Sequence, residues 1–291
     1  MHTTRRTQLS LFAAVAGASL AASPSRPAAQ DGGLHYDSDS RSRVPIPPGE
    51  RNLQTVAATP WLRVAEGPVV LEGPSFERNG DLVFCDATGG RILRATRGGS
   101  LSVVAAVEGA SPGGTAIQPD GRILVAVTAD RSTRGWVLAM QADGSAPEVI
   151  VPPEAGLVPN DLVLDGRGGF YVTDFRGTST EAAGGVYHVA SGSRAITPIL
   201  RGLSLANGLA LTDGGATLWV TEHGRNLLHR IRLADATAVR LLGTSVAYAF
   251  GGPAPDSMRA DRDGNLYVAM MGQGRVLVMG RNGVPIAQIL I

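Results

Sequence analysis

The stretch Val158–Asp174, VPNDLVLDGRGGFYVTD, decides the fold of this chain, and its pattern is written five times. An Asn opens it, an apolar strand follows, a Gly-rich turn reverses the direction, and a second apolar strand returns. One apolar position serves as the register of the repeat and falls at Phe76, Ile117, Leu164, Leu211 and Ala260. The spacings between these positions are 41, 47, 47 and 49 residues, and a Gly follows each position by four residues.

A β-type repeat of about 45 residues is typical of propeller blades, each a four-stranded antiparallel sheet. The turns PDG, DGRG, TDGG and DRDG suit hairpins, and no long stretch has a helical period. We therefore predict an all-β propeller. Blade openings are expected at Leu71, near Gly113, and at Pro159, Ala206 and Pro255. The segment 53–65 is predicted to be an N-terminal strand that pairs with the last blade and covers its edge.

The chain is predicted to have three regions, two that precede the propeller and the propeller itself. Residues 1–30 are predicted to be an export signal, because Arg5 and Arg6 precede an apolar run, Leu9–Leu20, that is too short to span a membrane. The order around the two arginines partly matches a twin-arginine signal. The alternative is a disordered tail that is not exported. Residues 31–50 are polar with a Pro cluster and are expected to be a disordered lead-in, and 51–291 form the propeller. The expected location is periplasmic or secreted, without a stable membrane anchor.

Composition excludes some classes of function. A net charge of +1 over 291 residues provides no basic field, and aromatic residues make up 5%, so nucleic acid is not an expected partner. Cys85 is the only cysteine, which rules out an internal disulfide, and it is expected to be a small buried hydrophobe. His223 is expected to be a surface or strand histidine, and the alternative is a base near a channel mouth. The sequence does not indicate an oligomeric state.

Polar side chains recur four residues before the register positions. The five residues are Glu72, Gly113, Asn160, Asn207 and Asp256, and four of them carry a side-chain oxygen. Because the first strands of propeller blades line one axis, we predict that these oxygens converge. The alternative is that each merely caps its strand. An all-oxygen set favours calcium, magnesium or manganese over zinc. The neighbouring Asp161 and Ser257 could add a ligand or a supporting hydrogen bond.

Several motifs connect the chain to a known family. They are Leu71-Glu72-Gly73, Asn160-Asp161, Thr173–Gly177, Ala206-Asn207-Gly208, Leu218–Glu222, Pro255-Asp256-Ser257, Asn265–Met270 and Gly272–Val278. From about Leu53 to Ile291 the chain resembles the senescence marker protein/gluconolactonase (regucalcin-like) family of six-bladed propellers, and most of all its bacterial drug-responsive lactonase branch. The resemblance implies six blades, of which the last is expected to be truncated here, leaving five repeats and the N-terminal strand.

The resemblance also implies a function. Glu72, Asn160, Asn207 and Asp256 match the family's metal ligands, Ser257 is an added ligand, and Asp256 matches the proton donor. We expect a calcium-dependent hydrolase that opens a small-molecule lactone, with Asp256 and Asp161 as the catalytic candidates. Magnesium, manganese and zinc are the alternative ions. A non-catalytic propeller that binds metal or sugar, and phosphotriester hydrolysis at the same site, are the alternative functions.

Overall fold

The computed structural model describes residues 46–129 and 132–291 of the chain. The predicted export signal and residues 31–45 of the lead-in lie outside these ranges. The regular secondary structure of the described part is almost entirely β. Its helices are 3₁₀ turns of three residues, at Pro48–Glu50, Pro153–Ala155, Asp213–Gly215 and His223–Arg225. None of the described helices reaches the length and apolarity that a membrane crossing requires.

Twenty-one strands follow one another along the described ranges, and they form five sheets. The first strand is β1 (Gln54–Ala57). The first sheet holds β2 (Leu71–Phe76), β3 (Leu82–Asp86), β4 (Arg91–Ala95) and β5 (Leu101–Ala106). The second holds β6 (Ala110–Ile117), β7 (Ile123–Ala129), β8 (Arg134–Met140) and β9 (Glu148–Val151). The third holds β10 (Pro159–Leu164), β11 (Phe170–Asp174), β12 (Gly184–Val189) and β13 (Ile196–Leu203). The fourth holds β14 (Ala206–Thr212), β15 (Thr217–Glu222), β16 (Leu227–Leu233) and β17 (Val239–Ala249). The fifth holds β18 (Pro255–Ala260), β19 (Leu266–Met270), β20 (Arg275–Met279) and β21 (Pro285–Leu290).

The four strands listed for each sheet form an antiparallel meander, as the repeat predicts, and β1 joins the outer edge of the fifth sheet. The second strands β3, β7, β11 and β19 begin at the apolar residues two positions after the repeated Gly, namely Leu82, Ile123, Phe170 and Leu266. In the turn before Phe170, Asp165 accepts hydrogen bonds from the backbone of Arg167 and Gly169. The prediction of an all-β propeller with five blade openings is confirmed.

The core lies between successive sheets. Four clusters of buried apolar side chains join the first sheet to the second, the second to the third, the third to the fourth and the fourth to the fifth. Trp219 is buried in the last of these clusters, with its indole N–H donating to Thr212 Oγ1 at 2.9 Å. Apolar strand faces packed in this way hold the inner strands of neighbouring blades side by side.

The fifth and first sheets are separated by a cleft of about 710 Å³, lined from both sides. Leu71 and Met271 at its edge remain 47% and 59% exposed. The six-bladed ring expected from the family resemblance is therefore not seen in the described residues, which form five sheets. A sixth blade and a truncation of it stay predictions.

Regular structure begins before residue 51, the predicted start of the propeller. Strand β1 pairs in parallel with β21, so the predicted pairing with the last blade is confirmed for Gln54–Ala57. Leu62 and Val64 instead pack on the outer apolar cluster of the first sheet. The lead-in was expected to be disordered up to residue 50, but Glu50 is buried and pairs with Arg275. A buried carboxylate with such a partner fixes the chain at this point.

Candidate functional site

A β-bulge interrupts every inner strand near its first residues. The register shifts lie between Glu72 and Ser75, Pro112 and Thr115, Pro159 and Leu162, Ala206 and Leu209, and Pro255 and Met258. A bulge re-aims side chains and leaves backbone groups unpaired in the ladder. The four oxygen-bearing positions of the sequence repeat lie in or beside these bulges, and three of them, Glu72, Asn207 and Asp256, belong to one cluster.

Glycines allow the bulges of neighbouring sheets to pack closely. Gly73 has φ +54°, a conformation that favours Gly, and a Cβ there would lie 2.3 Å from the backbone oxygen of Gly113. A Cβ on Gly208 would lie 2.5 Å from the backbone oxygen of Asp256. The small residues in the repeat are therefore needed where inner strands meet.

Glu72 and Asp256 meet across the boundary between the first and fifth sheets. Ser257 Oγ donates a hydrogen bond of 3.0 Å to Glu72 Oε2, and the Ser257 N–H donates one of 3.0 Å to Asp256 Oδ1. The bond from Ser257 to Glu72 joins residues 185 positions apart in the chain. Ser257 thus holds the two predicted carboxylate ligands next to each other.

Asn207 completes this cluster from the fourth sheet. It is 2% exposed, and its side-chain amide hydrogen-bonds to Asp256. Its carbonyl oxygen Oδ1 is buried and has no hydrogen-bond partner among the described residues. A buried acceptor without a donor is costly, and beside two carboxylates it is the arrangement that a cation would satisfy.

Threonines on the second strands fix the backbone behind these ligands. Thr173 Oγ1 donates to the backbone oxygen of Asn207 at 2.7 Å, and Thr221 Oγ1 donates to that of Asp256 at 2.8 Å. Asn160 lies at the equivalent bulge position of β10. Within the described ranges no hydrogen bond connects its side chain to the cluster.

The two carboxylates of the cluster have raised pKa values. The pKa of Glu72 is raised to about 7, first by burial and then by the charge of Asp256, while the hydrogen bond from Ser257 opposes both effects. Burial also raises the pKa of Asp256, against the lowering effects of the nearby His223 ring and of the Asn207 hydrogen bond. Both groups would be ionised more easily with a cation beside them.

The donor chemistry suits a hard cation. Among residues 46–129 and 132–291 no group of three or more His, Cys, Asp or Glu side chains is placed to hold a metal ion. The candidate set has two carboxylates, and its other donors are amide and hydroxyl oxygens. Such oxygens are typical calcium ligands and poor zinc ligands, so the residues present fit calcium better than zinc.

Asp161 is placed differently from the other predicted site residues. It is fully buried, and both of its carboxylate oxygens accept from Arg259 Nη1, at 3.1 and 2.8 Å. Sequence reasoning missed Arg259. The repeat could have indicated it, because Arg259 is the only charged residue at its position. The equivalent residues of the other inner strands are Ser75, Ala116, Val163 and Ala210.

His223 lies closer to the site than the sequence suggested. Its Nδ1 lies 3.2 Å from the backbone oxygen of Pro255, which accepts the N–H, and its ring contacts Phe175 edge to face at 5.9 Å. It is therefore neighbour to Asp256 rather than a distant strand histidine. Its position after β15, the partner of the inner strand β14, was the available signal.

One cleft contacts the cluster, and a second cavity is connected to it through Phe175 and His223. The cleft between the fifth and first sheets includes Glu72, Asp256 and Ser257 in an otherwise mainly apolar wall. A second cavity of about 580 Å³ is lined by Phe175, Arg176 and residues of neighbouring loops. Since Phe175 contacts His223, this second cavity lies at the end of the blades where Pro255 begins β18.

Sequence comparison connects the chain to known proteins. The sequence model described as "SMP-30/Gluconolactonase/LRE-like region" matches residues 64–291. A lactonase drp35 of Staphylococcus saprophyticus is 40% identical over 262 residues, which cover 89% of this chain and 81% of that protein. A lactonase drp35 of Staphylococcus aureus is 42% identical over 262 residues with the same coverage.

Solved structures share the fold. A calcium-binding protein, regucalcin, of Agrobacterium tumefaciens superposes with a TM-score of 0.68 at 18% identity, covering 82% of this chain and 80% of that one. A gluconolactonase of Xanthomonas campestris superposes with a TM-score of 0.62 at 23% identity, covering 75% of each chain. At these identities the likeness concerns the fold.

Proposed function

Because the chain belongs to the SMP-30/gluconolactonase/LRE-like family, we propose that it is a lactone hydrolase whose channel site holds a divalent cation, calcium before magnesium, manganese or zinc. The two lactonases and the gluconolactonase described above support the reaction class. The observation that carries the cation is the buried Oδ1 of Asn207, which lies next to two carboxylates and has no hydrogen-bond partner among the described residues.

Glu72, Asn207 and Asp256 would hold the cation, with Asn160 and Ser257 as further oxygen donors. The bound cation supplies a Lewis acid that polarises the lactone carbonyl and makes nearby water more acidic. Two carboxylates balance one divalent charge, so the loaded site is neutral towards an uncharged lactone. The threonine hydroxyls behind β14 and β18 keep the donors in place before the substrate arrives.

Asp256 would manage the proton. In this scheme water adds to the carbonyl carbon and gives its proton to the Asp256 carboxylate. The bond from the carbonyl carbon to the ring oxygen then breaks, and Asp256 returns the proton to that oxygen, which leaves as an alcohol. The product is an open hydroxy acid. His223, which lies beside Pro255, orients the start of β18 and with it Asp256.

The cavity lined by Phe175 and Arg176 is the proposed substrate entrance, because it opens at the end of the blades where Asp256 lies. A sixth blade, which the family resemblance implies, would lie between the fifth and first sheets, and the cleft of about 710 Å³ there would have to widen to receive it. Export to the periplasm or beyond, from the predicted signal, belongs to the same proposal.

A lactonase assay tests the function. Purified protein is mixed with aldonolactones and simple aliphatic lactones, with and without a chelator, and acid release is followed. We expect turnover that the chelator abolishes and calcium restores. Calcium binding without turnover of any lactone would instead favour the non-catalytic binding propeller, and faster hydrolysis of a phosphotriester would favour that reaction.

A further inference from the structure

One ion pair crosses the central channel next to the proposed cation site. Arg259 extends from β18, and its Nη1 donates to both carboxylate oxygens of Asp161 on β10. The Asp161 side chain is fully buried, and that of Arg259 is 31% exposed. A charged pair with this burial lies inside the ring of inner strands.

The pair contacts the inner strands of all five sheets. Arg259 Nε donates to the backbone oxygen of Pro74 on β2 at 3.2 Å, and its Nη2 donates to that of Thr115 on β6 at 3.3 Å. Asp161 Oδ2 accepts from the backbone N–H of Leu209 on β14 at 3.1 Å. Since β10 and β18 carry the pair, the two side chains connect the inner strands of all five sheets.

The repeat gives each partner an unusual position. The residues that follow the five equivalent positions Glu72, Gly113, Asn160, Asn207 and Asp256 are Gly73, Gly114, Asp161, Gly208 and Ser257, so Asp161 is the only charged one. A Cβ on Gly114 would lie 2.3 Å from Asp161 Oδ1, so the neighbouring strand leaves room for this carboxylate. Arg259 is likewise the only charged residue at its own equivalent position.

We propose that Arg259 is a positioning residue that sets the charge of the cation site by neutralising Asp161. This inference rests on the proposed cation site. Without Arg259 the channel would present three carboxylates, those of Glu72, Asp256 and Asp161. With Arg259 it presents the two that balance a divalent ion, and Asp161 is kept from acting as a ligand or as an acid.

The effect of Arg259 on the charge of the site can be measured by comparing the binding of a divalent and a trivalent ion. Coulomb's law gives a trivalent ion one and a half times the interaction energy of a divalent ion with the same added charge at the same distance. A change of about tenfold in calcium affinity therefore corresponds to about thirtyfold in lanthanum affinity. A loosened site would weaken the binding of both ions and would not follow this relation.

The experiment titrates chelator-treated protein with calcium and with lanthanum in a calorimeter. In Arg259→Met the calcium Kd is expected to fall about tenfold and the lanthanum Kd about thirtyfold. Asp161→Asn, which leaves the guanidinium uncompensated, is expected to raise both by similar factors. Arg259→Lys keeps the charge, and the double variant Arg259→Met/Asp161→Asn removes both charges, so both are expected to stay near wild type.

Circular dichroism checks that each variant is folded. If Arg259→Met does not fold, Asp161→Asn still tests the inference, because it is expected to change both Kd values in the opposite direction. If wild type binds calcium and neither single variant changes the lanthanum-to-calcium ratio, the charge role of Arg259 is overturned while the proposed function stands. If both single variants bind both ions more weakly, Arg259 is only structural. If wild type binds neither ion, both the inference and the cation site are overturned.

Discussion

Replacing a proposed metal ligand is expected to stabilise the metal-free protein. The native pKa of Glu72 is raised to about 7 from an ordinary value of 4.5. Between these values the native state keeps a proton that the unfolded state has released, so the stability falls as pH rises. The full loss is about 3 kcal/mol, from 2.5 pKa units at 1.36 kcal/mol each. Glu72→Gln removes this titration and avoids the loss above pH 7.

The assay is thermal unfolding in excess chelator at pH 4.5 and pH 8. For a domain of this size about 3 kcal/mol corresponds to roughly 6–12 °C in Tm. Glu72→Gln should therefore melt about that much higher than wild type at pH 8 and within about 2 °C of it at pH 4.5. The matched control is Glu66→Gln, since the Glu66 side chain is 92% exposed and its removal should leave the pH dependence unchanged. A wild-type Tm at pH 8 equal to that of Glu72→Gln would refute the reasoning.

Four further outcomes follow from the same site. Asp256→Ala should abolish lactone hydrolysis while leaving the β-type circular dichroism intact, and retained turnover would remove Asp256 from the mechanism. Asn207→Ala should weaken calcium binding about tenfold in calorimetry, since Asn207 Oδ1 is a proposed calcium ligand and accepts no hydrogen bond from the described residues. Wild-type calcium affinity should rise about tenfold per pH unit below pH 7 and level off above it, because calcium displaces the Glu72 proton, and a flat profile would contradict this. Cys85 is fully buried and burial raises its pKa, so a thiol reagent should modify it only after unfolding.

The strands and their grouping follow from local rules. Alternating apolar residues and turns such as DGRG define each hairpin, and the period of about 45 residues groups the hairpins into blades. The convergence of Glu72, Asn207 and Asp256 was predictable for the same reason, because equivalent positions of inner strands face one axis. The contact between Glu72 and Ser257 confirms that the first and fifth sheets meet at this level.

The Arg259–Asp161 pair was not predictable from local pattern. It joins residues 98 positions apart, and a bulge that contains Asp161 and another just before Arg259 break the simple alternation that tells which side a strand residue faces. The position of His223 was not predicted for a related reason. His223 lies in a turn, and its ring is held by the backbone oxygen of Pro255 in the neighbouring sheet. The separation between the fifth and first sheets also depends on how the whole ring closes, which no single repeat specifies.

The most direct test of the cation site is a crystal structure of the protein grown with calcium, with the ion located by its anomalous signal. Calcium is expected at about 2.3–2.6 Å from side-chain oxygens of Glu72, Asn207 and Asp256, with Oδ1 of Asn207 among its ligands. A crystal in which that position is empty at saturating calcium, or in which the ion binds elsewhere, would contradict the account.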